Sequence, residues 1–381
     1  MKFKLQEIVD VTMGQSPKSE YYNTDGKGYP FLQGNRTFGV KYPSFDTYTT
    51  VMTKPAKAGD VIMSVRAPVG DLNITPVDMC LGRGVCSLRM KNGNQSFLYY
   101  MMKYYVPHLL KKESGTVFGS VNRNDINGLE VDIPEDEQIQ RRIARYLEMI
   151  DDKIELNNAI NNNLLEQVQT LYRNRFVDTV NNERRICRAD EYFDISIGKT
   201  PPRKEPQWFS TNPQDVTWVS ISDMGTCGLY ISSSSEQLTK EAVDRHNVKI
   251  VPDNTVLLSF KLTVGRIAIT NGEMTTNEAI AHFKTDKKEI NEYLYCYLKC
   301  FNYQTMGSTS SIATAVNSKI IKGMPFVVPT DDELMDFHSV AAPMFAKIKA
   351  NQTESENLTA VRDTLLPKLM SGELDVSDID L

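Results

Sequence analysis

Residues Ala58 to Thr75 read AGDVIMSVRAPVGDLNIT and residues Pro252 to Thr270 read PDNTVLLSFKLTVGRIAIT, so one segment occurs twice at an offset of about 195 residues. In each copy a turn-prone pair, Gly59-Asp60 or Asp253-Asn254, precedes an apolar run that is typical of a buried strand. Solenoid repeats are only about 20 to 50 residues long. The much longer offset therefore predicts the duplication of a whole domain.

Similar segments continue outward from this stretch in the same order. They are Gly14-Gln15-Ser16-Pro17 with Gly198-Lys199-Thr200-Pro201, Leu98-Tyr99-Tyr100 with Leu294-Tyr295-Cys296, and Gly115 to Pro134 with Gly307 to Pro329. Short β-rich runs, with one helix per copy at Gln95 to Leu110 and at Glu289 to Tyr303, predict an α+β fold. We predict two similar globular domains at 1–134 and 181–330, followed by long helical segments at 135–180 and 331–381.

Each helical segment contains a series of mostly apolar residues at alternating steps of three and four. These residues are Leu147, Ile150, Ile154, Asn157, Asn161, Leu164, Val168 and Leu171 in the first segment, and Ala341, Met344, Ile348, Asn351, Ser355, Leu358, Arg362 and Leu365 in the second. The spacing predicts a coiled-coil seam, with polar residues in its middle that fix the register and a poor fit at Arg362. Pro343 is expected to break or kink the second helix near its start.

The order of the segments along the chain predicts how the two globular domains are placed relative to the helices. If the two helices pair, they are most simply antiparallel, with the globular domains at opposite ends and an approximate two-fold axis between them. About 30 helical residues span roughly 45 Å, and the turns of a DNA duplex recur about every 34–36 Å. The paired helices are therefore either a ruler between two DNA-reading domains or only a spacer or dimerisation element.

Charge is unevenly distributed along the chain, which carries a net charge of −5. Residues 1–134 contain 16 Lys+Arg against 12 Asp+Glu (+4), and residues 181–330 contain 17 against 16 (+1). The helical segments are acidic, with 6 against 9 (−3) at 135–180 and 4 against 11 (−7) at 331–381. Positive charge in the globular domains fits a phosphate-contacting surface and, equally, ordinary solvated surface charge.

Catalytic and metal-binding motifs are missing from the sequence. There is no Gly-x-x-x-x-Gly-Lys-[ST] loop, no Asn/Asp-Pro-Pro-aromatic motif and no metal spacing among the cysteines. The four histidines, which are scattered packing or surface residues in this interpretation, are His108, His246, His282 and His338. No apolar run approaches the roughly 18 residues of a membrane span, and the start of the chain lacks an apolar signal core. We expect a cytoplasmic protein without a catalytic or metal site.

A series of motifs gives the chain a family resemblance. In order they are the Gly-x-[ST]-Pro turns, Gly59 to Gly70, the Ile-Pro stretch before Glu137-Gln138, Ile143 to Leu147, Asp151 to Asn157, and Leu365 to Leu374. Together the motifs cover the whole length, and the sequence resembles the DNA-specificity subunits of type I restriction-modification enzymes. Departures from the family pattern are Lys261 to Gly265 in place of Arg-Ala-Pro-Val-Gly, Pro343, and the low positive charge.

The resemblance implies a non-catalytic subunit that reads the two halves of a split, asymmetric double-stranded DNA target. It also implies two adenine-methyltransferase subunits as partners on the helices, and restriction subunits in the full enzyme. S-adenosylmethionine, ATP and magnesium would be bound by those partners and not by this chain. A methyltransferase also needs the target adenine extruded from the duplex.

We expect DNA contacts from basic and amide side chains in the loops, because Arg and Lys hold phosphates or read guanine, while Asn and Gln can pair with adenine. The individual candidates are basic. They are Lys18, Arg36, Lys41, Arg66, Arg83 and Arg123 in the first domain, and Lys199, Arg203, Lys204, Lys261, Arg266 and Lys319 in the second. Arg66 and Arg266 are equally compatible with a structural role. Two other functional classes stay open, namely a protein-only scaffold that recruits partners through its helices and a two-domain hydrolase or transferase.

Overall fold

The computed structural model describes residues 1–111, 119–179, 181, 184–306 and 317–376. They divide into two compact units, one formed by Met1–Ile154 with Asn357–Leu381 and the other by Glu155–Glu356. The sequence also predicts a loop rich in Ser and Thr at Ser308 to Ser318. Most of that loop, and the beginnings of the repeated segments at Gly115 and Gly307, lie outside the described residues.

The first unit begins with a strand-rich module and ends on a long helix. In chain order its elements are β1 (Lys2–Lys4), α1 (Leu5–Ile8), β2 (Val9–Met13), β3 (Tyr22–Asn23), β4 (Tyr29–Leu32), β5 (Tyr48–Thr49), β6 (Pro55–Ala56), β7 (Val61–Ser64), β8 (Leu72–Ile74), β9 (Met79–Leu81), β10 (Val85–Met90), α2 (Gln95–Lys111), α3 (Arg123–Asn127), β11 (Glu130–Asp132) and the beginning of α4 (Glu137–Tyr172).

The second unit contains the rest of α4 and the second module. Its further elements are β12 (Arg185–Arg188), α5 (Ala189–Tyr192), β13 (Asp194–Ile197), β14 (Phe209–Ser210), β15 (Val216–Val219), α6 (Asp223–Thr226), β16 (Tyr230–Ile231), β17 (Glu236–Leu238), α7 (Lys240–Arg245), β18 (Val256–Ser259), β19 (Ile267–Thr270), β20 (Thr275–Thr276), β21 (Ile280–Lys284), α8 (Asn291–Cys300), α9 (Ser318–Lys322), β22 (Pro325–Val328) and α10 (Asp331–Ser371). The last turns of α10 belong to the first unit.

The two modules share one sheet topology. The main sheet has the strand order β2-β10-β7-β8 in the first module and β13-β21-β18-β19-β16 in the second. Ser64 pairs with Val85 in the first sheet, and Ser259 pairs with Ile280, each 195 residues later, in the second. The predicted α+β fold with two similar modules and long helices is confirmed.

Helices α2 and α8 lie in the hydrophobic cores of their modules. Their buried residues include Phe97 and Tyr100 in α2 and Tyr293 in α8, so the aromatic positions are core positions. The prediction of one helix from Glu289 to Tyr303 is wrong at both ends, since a 3₁₀ turn precedes α8 and Phe301 is extended. The Tyr303 hydroxyl donates to the Leu298 carbonyl at 2.8 Å, which folds the chain back over the last turn of α8.

Pro343 does not interrupt α10, and the prediction of a break there is wrong. The helix is continuous from Asp331 to Ser371. A proline removes one helical hydrogen bond, which leaves the carbonyl four residues earlier without its donor. That carbonyl belongs to Ser339, and both Ser339 and Pro343 are exposed. Water can therefore hydrate the released carbonyl on this face.

The long helices run antiparallel within each unit. In the first unit, Ile143 and Leu147 near the start of α4 share a core with Leu366 and Leu369 near the end of α10. In the second unit the end of α4 shares a core with the first half of α10, through residues that include Val168, Ala341 and Ile348. Each predicted seam residue is buried or half-buried.

His282 in β21 gives the second unit a testable dependence on pH. Its ring is fully buried, with Nδ1 3.0 Å from Ser196 Oγ and Nε2 2.7 Å from Thr276 Oγ1. Burial, followed by the charge of Lys284, lowers the pKa of His282 to about 3. The unfolded chain therefore takes up a proton below about pH 6.5 that the folded chain does not.

Because only the unfolded chain gains this proton, acidification favours unfolding. We expect His282 to lower the free energy of unfolding by about 2 kcal/mol between pH 7.5 and pH 5. Urea denaturation of the protein and of His282→Asn at both pH values measures the effect. The variant should lose less stability on acidification. An identical pH dependence in both proteins would contradict this role for His282.

Candidate nucleic-acid interface

Several loops meet at one end of the main sheet in each module. In the first module β2 and β7 end there while β10 and β8 begin there. We call the loops at this end the first corner, which consists of residues 14–18, 64–71 and 81–85. The equivalent loops of the second module form the second corner, which consists of residues 198–203, 259–266 and 276–280.

Close backbone contacts build the first corner. The Gly14 amide donates to the Val85 carbonyl at 3.0 Å, and a Cβ atom on Gly14 would lie 2.0 Å from the Gly82 oxygen. The glycine in this turn is therefore required by the approach of the two loops. The Arg83 amide donates to Ser16 Oγ at 3.1 Å, and the Arg83 side chain is exposed.

A serine closes the hairpin loop in each corner. Ser64 Oγ donates to the Pro68 carbonyl at 2.8 Å and accepts from the Asp71 amide at 2.9 Å. The same two bonds recur, at 2.6 and 3.0 Å, among Ser259, Thr263 and Arg266. The repeated segment that opens the sequence thus encodes a hairpin with the same side-chain closure in both modules.

The second corner contains a carboxylate among cations. The Thr200 hydroxyl donates to the carboxylate of Glu278. Partial burial raises the pKa of Glu278, but hydrogen bonds from Thr200 and the backbone, with Lys261 and Arg203 nearby, outweigh it and lower the pKa overall. Glu278 is therefore an ionised, exposed acceptor.

Three of the predicted DNA contacts of the first module lie on its corner. Lys18 and Arg83 line one surface groove together with Ser16 and Gln33, and Arg66 is an exposed residue of the hairpin loop. The structure therefore brings together cations that are far apart in the sequence.

The other predicted contacts of the first module have different surroundings. Arg36 is exposed and pairs with Asp46 at 2.6 Å, and Arg123 Nη2 donates to the Val11 carbonyl at 2.8 Å. Lys41 is only 7% exposed, and its Nζ lies 3.6 Å from Asp152. The Lys41 side chain is therefore packed toward α4, which does not suit a DNA contact.

The cations of the second module are placed in a similar way. On the second corner are Lys199, whose Nζ donates to the His246 carbonyl, Arg203, which pairs with Glu236, and the exposed Lys261. Arg203 also lies over the ring of Phe209 at 4.2 Å. Two further predicted residues, Lys204 beside Arg203 and Lys319 on α9, are exposed.

Arg266 is half-buried and has a structural contact. Its Nη1 donates to the carbonyl of Ile221, and a Cβ on Gly225 would lie 2.3 Å from the same nitrogen. The packed guanidinium favours the structural alternative that the sequence left open.

The helical seam has a polar layer in the second unit. Asn157 Nδ2 donates to Glu354 Oε2 at 2.8 Å, and Asn351 Nδ2 donates to Asn161 Oδ1 at 2.8 Å. Asn157 and Asn351 are each 1% exposed. The buried Asn351–Asn161 amide pair and the bond from buried Asn157 to Glu354 favour one register between the two helices, since a shift removes these partners.

Comparison with known proteins identifies the family of this chain. The family model of the type I restriction modification DNA specificity domain matches residues 1–166 and 185–341. The chain belongs to this family. The putative MjaX specificity subunit of Methanocaldococcus jannaschii is 38% identical over 153 residues, which are 40% of this chain and 36% of that protein. The MjaIX specificity subunit of the same organism is 24% identical over 99% of this chain and 94% of its own length.

A solved structure shows the same fold. The S subunit of a type I restriction-modification system from M. genitalium superposes with a TM-score of 0.55 at 17% identity, over 97% of this chain and 95% of that one. Within the part of the chain that the structure describes, no helix is long and apolar enough to cross a bilayer. The described residues also include no group of three or more His, Cys, Asp or Glu side chains placed to hold a metal ion.

Sequence reasoning named neither Glu278 nor Gln33, because every individually named candidate was a basic residue although amide side chains were also expected among the contacts. Gln33 lines the groove with Arg83. Glu278 lies 195 residues after Arg83, so the offset of the opening repeat would have located it.

Proposed function

We propose that this specificity-family chain reads a split, asymmetric DNA sequence, with one half-site on each module. The observation that carries the proposal is the repetition of one loop corner in two modules, with exposed cations on each. Arg36 and Arg203 form surface ion pairs in which the arginine side chains are 75% and 52% exposed. Exposed pairs contribute only about 0–1 kcal/mol, so these arginines can exchange a carboxylate for a DNA phosphate at little cost.

We further propose that the long helices set the gap between the half-sites and bind two adenine-methyltransferase subunits, which restriction subunits join. Apolar side chains on the helices that are 40% or more exposed support a protein partner; they are Met149 and Leu156 on α4, and Met335, Val340 and Val361 on α10. S-adenosylmethionine, ATP and magnesium would then belong to the partner subunits, which carry out the chemistry.

DNA binding should be strongly dependent on salt. Each neutralised phosphate releases counterions, so we expect the affinity of the complex with its methyltransferase subunit for a random-sequence duplex to fall at least about tenfold between 50 and 200 mM salt. Fluorescence anisotropy measures this. Lys261→Ala should reduce the salt slope by about 1.

Lys287→Ala is the matched control, because exposed Lys287 lies just after β21, at the opposite end of that strand from the second corner. Its slope should stay unchanged. A complex that binds no DNA at low salt would favour the scaffold function instead.

A further inference from the structure

Backbone contacts place Arg83 and Glu278 at the same position of the two corners. The Val65 amide donates to the Gly84 carbonyl at 2.9 Å, and the Phe260 amide donates to the Ala279 carbonyl at 2.9 Å. Two residues before each position, the Leu81 carbonyl accepts from the Gln15 amide, and the Thr276 carbonyl accepts from the Lys199 amide. Both loops are thus held by the same neighbours.

The side chains at this position have opposite charges, and each residue contacts the hydroxyl of the neighbouring Gly-x-[ST]-Pro turn through a different group. Arg83 is bonded through its amide to Ser16, and Glu278 is bonded through its carboxylate to Thr200, where Ser16 and Thr200 occupy the same place in the repeated Gly-x-[ST]-Pro turn. Both side chains are exposed. The position therefore presents a charged group from a fixed loop in each module.

A carboxylate on a DNA-binding surface cannot hold a phosphate, because the two negative charges repel each other. It can accept a hydrogen bond from a base amino group, and the usual pairing of Glu is with cytosine N4. The neighbouring Lys261 and Arg203 supply the positive charge that offsets the carboxylate near the DNA backbone. Arginine at the same position pairs with O6 and N7 of guanine.

We propose that residues 83 and 278 are equivalent base-reading positions, with Arg83 reading a guanine in one half-site and Glu278 reading a cytosine in the other. This inference rests on the proposed DNA-reading function. It gives a physical reason for two modules of one fold to read different half-sites, because the scaffold is duplicated while the charge at the reading position is reversed.

The test compares the methylated motif of the wild-type chain with those of Glu278→Gln and Arg83→Gln. Each chain is expressed with its methyltransferase subunit in a methylation-free host, and methyladenine is mapped by long-read sequencing. Glutamine keeps the size of Glu278 and an acceptor for Thr200 but loses the charge. We expect Glu278→Gln to reduce discrimination at one C·G pair of a single half-site by about tenfold or more, with the gap and the other half-site unchanged. Arg83→Gln should relax one guanine in the opposite half-site.

Glu273→Gln is the matched control, since Glu273 is an exposed glutamate in the turn at the far end of β19 from the second corner. It should keep the wild-type motif. An unchanged motif for both corner variants, or weaker methylation of the same motif, would overturn the inference and leave the proposed function intact. If the complex with Glu278→Gln shows no methylation, the motif of Arg83→Gln tests the inference, and an unchanged motif for that variant would overturn it. A wild-type complex that methylates no split motif would instead contradict the proposed function itself.

Discussion

Replacement of Asp151 by alanine is expected to lower the free energy of unfolding by about 3 kcal/mol, because it removes the buried acceptor of Arg362 Nη1 and of the Tyr100 hydroxyl and leaves Arg362 only its exposed partner Asp363. The Asp151 carboxylate accepts from the Tyr100 hydroxyl at 2.7 Å and from Arg362 Nη1 at 2.8 Å. The side chains of Asp151 and Arg362 are only 9% and 12% exposed. One carboxylate therefore joins α4, α10 and the globular module of the first unit.

Asp363→Ala is the control for this prediction. Asp363 also pairs with Arg362 at 2.8 Å, but its side chain is 60% exposed, so its loss should cost about 1 kcal/mol or less. Urea denaturation of the three proteins gives the comparison. Equal losses for Asp151→Ala and Asp363→Ala would show that the buried junction contributes no more than a surface pair.

Lengthening both helices by one heptad should widen the gap in the DNA target. Seven helical residues add about 10 Å, which corresponds to roughly three base pairs of duplex. The insertions belong after Ile154 in α4 and after Glu356 in α10, because the two compact units divide at these residues. Each unit then keeps its own contacts, including the Asn157 layer. The methylated motif of the variant gives the new gap.

Insertion into α4 alone is the control, since it lengthens only one of the two helices. We expect the single insertion to destroy methylation and the double insertion to restore it with the wider gap. A double insertion that methylates the original motif would disprove the ruler while leaving DNA recognition in place.

The fold was predictable from the sequence because its decisive information is local and is present twice. The Gly-x-[ST]-Pro turns and the repeated hairpin segment define the same loops in both modules, and the spacing from Leu147 to Leu171 defines a helix face. The continuity of α10 through Pro343 was not predictable in the same way. It depends on which face of the helix is exposed, and that is a property of the packed structure.

The candidate interface was predictable only in part, because the type of a residue does not show whether its side chain is exposed or which groups it contacts. Lys41 is a basic residue of the type that contacts DNA, but its side chain is buried against α4 beside Asp152. This contact joins residues far apart in the sequence, and no local pattern indicates it. Arg266 is packed against the Ile221 carbonyl for a similar reason. Glu278 was not named because a negative charge is unfavourable near phosphate, whereas the structure places Lys261 and Arg203 near its carboxylate, as the proposed base reading requires.

The most direct test of the central claim is a map of methyladenine in a methylation-free host that expresses this chain with its methyltransferase subunit. We predict a split motif with a fixed gap that appears only when this chain is present. No new methylation, with both proteins folded and associated, would contradict the assignment of the two modules as readers of DNA sequence.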